Sequence, residues 1–203
     1  MTKLFPARAG TTLVVLAAMM PTWALAHAGE GLAHEHGWAA GALHPFTGID
    51  HLAAMLVVGL WSALTQQGRR MLVAPLAFAG WLLAGALVGA ALARAGMAAP
   101  GVEPMVAASV LALGLVAAAR WSPGTALSAA VVGGFAVFHG LAHGSELQGG
   151  QALAGMVLAT AALHAMGLGV GLRLRTLAPL WSRAAGAAVA LLGLGLLSRM
   201  VWA

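Results

Sequence analysis

Six long apolar segments follow one another along the chain, and each is long enough to form a helix through a bilayer. They lie near residues 43–65, 71–93, 104–121, 125–142, 152–172 and 178–200, with short breaks rich in glycine, proline or polar residues between them. A helix needs about 20 apolar residues to cross the hydrocarbon core, where backbone groups must find their hydrogen bonds internally. The strict alternation of barrel strands is missing. The pattern therefore predicts an all-α, polytopic membrane bundle with six transmembrane helices in residues 43–203.

The first 26 residues have the layout of an export signal. Lys3 and Arg8 precede a short apolar stretch, and Ala24-Leu25-Ala26 matches a small-x-small cleavage site. We predict cleavage after Ala26, which leaves residues 27–42 as a periplasmic tail rich in histidine and glutamate. The alternative is an uncleaved signal that forms an additional membrane span.

The composition excludes several classes of protein. Hydrophobic residues make up 61 % of the chain and charged residues 7 %, whereas about a quarter of an ordinary soluble domain is charged. A soluble enzyme, a nucleic-acid-binding domain and a disordered chain are therefore excluded. There is no cysteine, so disulfides, thiolate metal sites and cysteine nucleophiles are excluded as well.

The arginines predict the orientation of the bundle. If the exported start leaves the mature terminus outside, six arginines fall on the cytoplasmic side: Arg69, Arg70, Arg120, Arg173, Arg175 and Arg183. Only Arg94 and Arg199 fall outside. Positive residues favour the cytoplasmic side, so we expect a protein of the bacterial inner membrane with both mature termini in the periplasm.

Ionisable residues inside the apolar segments are few, and two groups of them stand out. In the first segment, His44 and His51 are seven residues apart, which would place them on one face of a continuous helix with Gly48 between them. Asp50 lies about a quarter turn away. It is either a ligand after helix distortion or a partner that fixes the tautomer of an imidazole.

The second group closes the fourth segment, where His139, His143 and Glu146 share one helix face. The first segment begins outside and the fourth ends outside, so the two groups are expected to meet at the outer end. Any single histidine here could be a hydrogen-bonded packing residue. Burying all of them without a cation would cost several kcal/mol, and imidazole with carboxylate suits Ni²⁺, Co²⁺ or Zn²⁺. His164, deeper in the fifth segment, is a candidate inner ligand or relay.

The predicted periplasmic tail carries five further candidate ligands. They are His27, Glu30, His34, Glu35 and His36. Such a tail either captures a cation loosely before transfer or is simply solvated, and both interpretations stay open.

Two segments of the sequence resemble a known family. His44 to Trp61, HPFTGIDHLAAMLVVGLW, and Phe138 to Glu146, FHGLAHGSE, are similar to the two signature blocks of the HupE/UreJ family of bacterial nickel or cobalt permeases. The resemblance extends over essentially the whole chain. It implies that five residues are critical for transport, with Glu146 and His164 as further candidates: His44, Asp50, His51, His139 and His143.

The resemblance implies a secondary transporter rather than an enzyme. It would take up Ni²⁺ or Co²⁺, with Zn²⁺ possible, and supply metalloenzymes such as hydrogenase or urease. The chain carries no nucleotide-binding motif, so we expect the membrane potential to drive uptake and no cofactor to be needed. The expected partners are the divalent ion and the lipid bilayer. The alternative is an intramembrane zinc-dependent hydrolase that includes Ser109, although Gly140 stands where an HExxH motif has its general base.

Overall fold

The computed structural model describes residues 35–202, and helices account for most of them. The helices are α1 (Trp38–Leu43, continued by a 3₁₀ turn at His44–Phe46), α2 (Ile49–Thr65), α3 (Val73–Arg94, preceded by a 3₁₀ turn at Gly68–Leu72), α4 (Val102–Ala119), α5 (Thr125–Glu146), α6 (Gly150–Arg175) and α7 (Pro179–Trp202). Two-residue strands β1 (Glu35–His36) and β2 (Leu147–Gln148) pair in parallel. The predicted all-α fold is confirmed. The predicted signal peptide, residues 1–26, and residues 27–34 of the tail lie outside the described residues.

The helices are long and apolar enough for a multi-pass membrane protein. Five of those described could each cross a bilayer, and a sixth span exists if α1 and α2 count as one bent unit. Large apolar side chains such as Leu76, Leu180 and Leu191 are exposed on the outside of the bundle. In lipid, unlike in water, such a surface carries no penalty.

The first span is not the single straight helix that the sequence predicted. Trp38–Phe46 and Ile49–Thr65 meet at 83°, because Gly48 adopts an extended conformation before α2 begins. Thr47 closes the preceding turn, donating both its backbone N–H and its hydroxyl to the carbonyl of His44. The expectation that His44 and His51 share one helix face is therefore wrong, since they flank the bend.

Glycines bring several pairs of helices into backbone contact. In the pair α3 and α5, a Cβ on Gly85 or Gly89 would overlap backbone atoms of α5, and one on Gly140 or Gly144 would overlap backbone atoms of α3. Glycines join α2 to α6 and α4 to α7 in the same way. Close backbone approach through small residues is how membrane helices gain packing energy in lipid.

Hydrogen bonds connect the C-terminal ends of α2, α4 and α6 at the end of the bundle opposite the bend. The indole N–H of Trp61 donates to the carbonyl of Trp121 over 2.8 Å, and the Arg175 guanidinium donates to the carbonyl of Gln66. The arginines predicted on the cytoplasmic side belong to this end of the bundle. Arg69 and Arg70 follow α2, Arg120 follows α4, Arg173 and Arg175 lie at the end of α6, and Arg183 lies at the start of α7.

Candidate metal site

Three predicted residues meet where the turn before the bend faces the end of α5. They are His44, His143 and Glu146, and each offers a ligand atom within 4.8 Å of those of the other two. His44 Nε2 lies 2.8 Å from the Glu146 carboxylate. The bend makes this contact possible, because it turns the segment that carries His44 away from the axis of α2. We call these three residues the outer group.

Asp50 and His51 form a hydrogen-bonded pair in the first turn of α2. The Asp50 carboxylate oxygen Oδ1 lies 2.8 Å from His51 Nδ1 and also accepts the backbone N–H of His51 over 2.8 Å. The geometry fits the second of the two roles considered for Asp50, in which the carboxylate fixes an imidazole tautomer. A proton on Nδ1 leaves the lone pair on Nε2, which is buried without a hydrogen-bond partner among the described residues.

Gly48 makes room for this pair. A Cβ at this position would lie 2.8 Å from the Asp50 carboxylate oxygen and 3.1 Å from His51 Nδ1. Any larger residue would therefore push the pair away from its present position. Gly48 thus serves the site through the absence of a side chain.

Three imidazoles pack together next to the outer group, and one of them is His143 of that group. The ring centroid of His51 lies 4.3 Å from that of His143 and 4.8 Å from that of His139. Four ring nitrogens here are buried without a hydrogen-bond partner among the described residues: Nε2 of His51, Nδ1 of His139 and both nitrogens of His143. Unsatisfied buried polar groups are costly, and imidazole nitrogens are good ligands for borderline divalent metals. Each neutral imidazole carries one lone pair, which a cation would satisfy.

Exposure falls steadily along this series of side chains. The Glu146 side chain is 36 % exposed and that of His44 14 %, whereas His143 is 1 % and His139 0 % exposed. At a rise of 1.5 Å per residue, His139 lies about 10 Å below the end of α5. The groups therefore lead from the surface into the bundle.

His164 lies apart from this cluster, deeper in α6. By the same rise it is about 21 Å from the start of its helix. It is 2 % exposed, and its Nε2 is buried without a hydrogen-bond partner in the part of the chain that the structure describes. The ring of Phe78 packs against both His164 and His139, at 5.2 and 5.5 Å between centroids. Phe78 thus joins the cluster to His164.

Two residues around the site, Phe78 and Glu103, were not predicted from the sequence, and Ser109 was considered only for a hydrolase. Phe78 carries no signal, since aromatic residues are common in membrane helices. Glu103 lines a cavity of about 320 Å³ that Glu146 also lines. The predicted third span began at residue 104 and so excluded Glu103. Its negative charge at the edge of an apolar segment was the feature that could have indicated it. Ser109, considered only for a hydrolase, lies 2.8 Å from His139 Nε2.

Part of the predicted tail lies beside the outer group. Glu35 pairs with Leu147 and His36 with Gln148 through the backbone, directly after Glu146 at the end of α5. The other tail candidates, His27, Glu30 and His34, lie outside the described residues.

The fold and the site define a multi-pass membrane protein with a cluster of imidazoles and partly exposed carboxylates at one end of its helices. The family described as HupE / UreJ protein matches residues 14–196. Protein HupE of Rhizobium leguminosarum bv. viciae is 40 % identical over 192 residues, which cover 92 % of this chain and 95 % of that protein. The chain therefore belongs to the HupE/UreJ family, which is associated with nickel and cobalt transport. No solved structure matches it.

Proposed function

We propose that this protein takes up Ni²⁺ or Co²⁺ across the bacterial inner membrane, with the ion entering at the end that carries the outer group. The observation that supports this most directly is the meeting of His44, His143 and Glu146, whose ligand atoms lie within 4.8 Å of one another. Mixed nitrogen and oxygen donors suit borderline divalent ions. The same donors also accept Zn²⁺, which we expect to compete.

The order of the donors supports stepwise dehydration. A hydrated ion first meets the half-exposed carboxylate of Glu146 and the imidazole of His44. It then exchanges its remaining waters for the buried nitrogens of His143, His51 and His139. Binding at each step must stay weak enough for the ion to leave inward, and His164 is the next donor on that route.

The arginine distribution supports the direction of transport. Six arginines belong to the end of the bundle opposite the outer group, and positive residues favour the cytoplasm. The outer group then faces the periplasm, as do both mature termini. A doubly charged ion gains about 4.6 kcal/mol per 100 mV when it moves to the negative side, so we expect the membrane potential to drive uptake.

The tail is proposed to capture the ion before it reaches the outer group. The backbone pairing of Glu35 and His36 with β2 supports this role, because it anchors the end of the tail next to Glu146. A tail that only raises the local ion concentration matters when metal is scarce. His36→Ala should therefore slow uptake at low metal concentration and leave it unchanged at saturation.

The test is uptake by mature protein reconstituted in liposomes, measured for Ni²⁺, Co²⁺ and Zn²⁺. An imposed potential, negative inside, should drive uptake, and an imposed pH gradient alone should not. Asp50→Ala and His51→Ala should each abolish uptake while the protein still inserts, because each removes half of the pair that presents His51 Nε2. Full uptake by either variant would contradict the assignment of the site.

The purified protein used for the uptake assay also tests the alternative that the chain is an intramembrane hydrolase. Ser109 and His139 lie within the distance of a nucleophile and its base, but the Ser109 hydroxyl donates to a backbone carbonyl instead. Cleavage of a lipid ester or amide by the purified protein, without metal flux, would favour the hydrolase.

A further inference from the structure

Ser109 connects α4 to the histidine cluster although it belongs to neither signature block. It is 0 % exposed, as is His139. Its hydroxyl oxygen lies 2.6 Å from the carbonyl oxygen of Val106 and 2.8 Å from Nε2 of His139. The hydroxyl therefore has two close neighbours and only one proton to share between them.

The distances decide where that proton lies. Two oxygens 2.6 Å apart need a proton between them, and the carbonyl of Val106 has none to give. The Ser109 proton therefore points at Val106. The remaining contact is then a hydrogen bond in which His139 Nε2–H donates to the Ser109 oxygen.

A neutral imidazole that carries its proton on Nε2 has its lone pair on Nδ1. Nδ1 of His139 is buried without a hydrogen-bond partner within residues 35–202, and the ring stands edge-on to that of His51 at 4.8 Å between centroids. His51 has the opposite arrangement, since Asp50 holds its Nδ1 and its Nε2 has no partner in the same part of the chain.

We propose that Ser109 is a positioning residue that selects the Nε2–H tautomer of His139, so that His139 presents Nδ1 to the divalent cation. This inference rests on the proposed function, in which the cluster binds the transported ion. Ser109 and Asp50 then do the same task for two different histidines, one through a hydroxyl and the other through a carboxylate. Removing such a partner typically weakens metal binding 10–100-fold.

Ser128 supplies a matched control for the substitution. It is also buried, at 3 % exposure, and its hydroxyl donates to the carbonyl of Gly124 over 2.8 Å at the far end of α5. Ser109→Ala and Ser128→Ala each delete one buried hydroxyl that donates to a helix carbonyl. Only the first also removes an acceptor from His139.

We expect Ser109→Ala to raise the metal concentration for half-maximal uptake by about tenfold, in line with loss of a partner that orients a ligand. Ser128→Ala should leave that concentration unchanged. If the two variants behave alike while the wild-type protein transports, Ser109 has no positioning role and the inference is wrong.

The tautomer can be observed directly in the wild-type protein, whatever the fate of the variants. Histidine labelled with ¹⁵N distinguishes a protonated from an unprotonated ring nitrogen, and a His139→Gln spectrum assigns the signals. Metal-free protein should show Nε2–H at His139, and diamagnetic Zn²⁺ should shift the Nδ1 signal. A proton on Nδ1, or a shift at Nε2, would overturn the inference. Absence of any metal-induced shift together with absence of uptake would instead count against the proposed function.

Discussion

Because Gly140 lies in the backbone contact between α3 and α5, we can predict how strongly Gly140→Ala lowers the rate of nickel uptake. The added Cβ would overlap the carbonyl oxygen of Leu82 and come within 2.7 Å of the backbone nitrogen of Ala86. Ordinary contacts between such atoms lie near 3.5–4.0 Å, so α5 must move away from α3 by about 1 Å. Both contacting atoms belong to helix backbone, which has no side chain to rotate aside.

This movement should reach the site, because His139 directly precedes Gly140 on α5, whereas His51 belongs to α2. A ligand set tolerates errors of about 0.2 Å, and a misplacement of about 1 Å can cost about 100-fold in rate. We therefore expect Gly140→Ala to lower the initial rate of nickel uptake by about two orders of magnitude. Overpacking should also lower the free energy of unfolding by about 1–3 kcal/mol.

The assay is uptake of radioactive nickel into cells, normalised to the amount of protein in the membrane. Gly134→Ala is the matched control, since it makes the same change on the same helix where a Cβ would meet nothing within 4 Å. Equal normalised rates for Gly140→Ala and Gly134→Ala would refute the claim that glycine packing sets the positions of the histidines.

Two further predictions concern the outer end of the site. Gly48→Ala should slow uptake, because the Cβ would displace Asp50 and His51; Gly80→Ala, whose Cβ would meet nothing within 4 Å, should transport normally, and the two initial rates give the comparison. Glu146→Gln removes the charge beside His44 and keeps the shape of the side chain. It should raise the nickel concentration for half-maximal uptake more than it lowers the maximal rate, so a saturation curve with only the maximal rate reduced would contradict a role in first capture.

Much of the architecture follows from the sequence. Apolar runs of about 20 residues admit few structures in lipid, so the helices could be placed within several residues of their observed bounds. Span direction then put His44 and Glu146 at the same end, and the structure brings their side chains to 2.8 Å. That expectation needed only the number of crossings and no detail of packing.

The bend and the hydrogen-bond partners could not be predicted with the same methods. Periodicity assumes a continuous helix, and it therefore gave the wrong geometric relation between His44 and His51. The 83° angle of the bend depends on contacts with other helices, which the sequence does not show. Ser109 meets His139 across 30 residues of sequence, and neither residue alone indicates the other.

Glycine-based packing also has a mechanical consequence. Helices α2 and α6 are in backbone contact through glycines, as are α3 and α5, so each pair would move as one block if the helices shifted. His51 belongs to one block and His139 and His143 to the other, with their rings in contact across the seam. If one helix pair moved along the other, the ring of His51 would separate from those of His139 and His143, whereas the glycine contacts within each pair would be kept. A cation bound between these imidazoles would then be released.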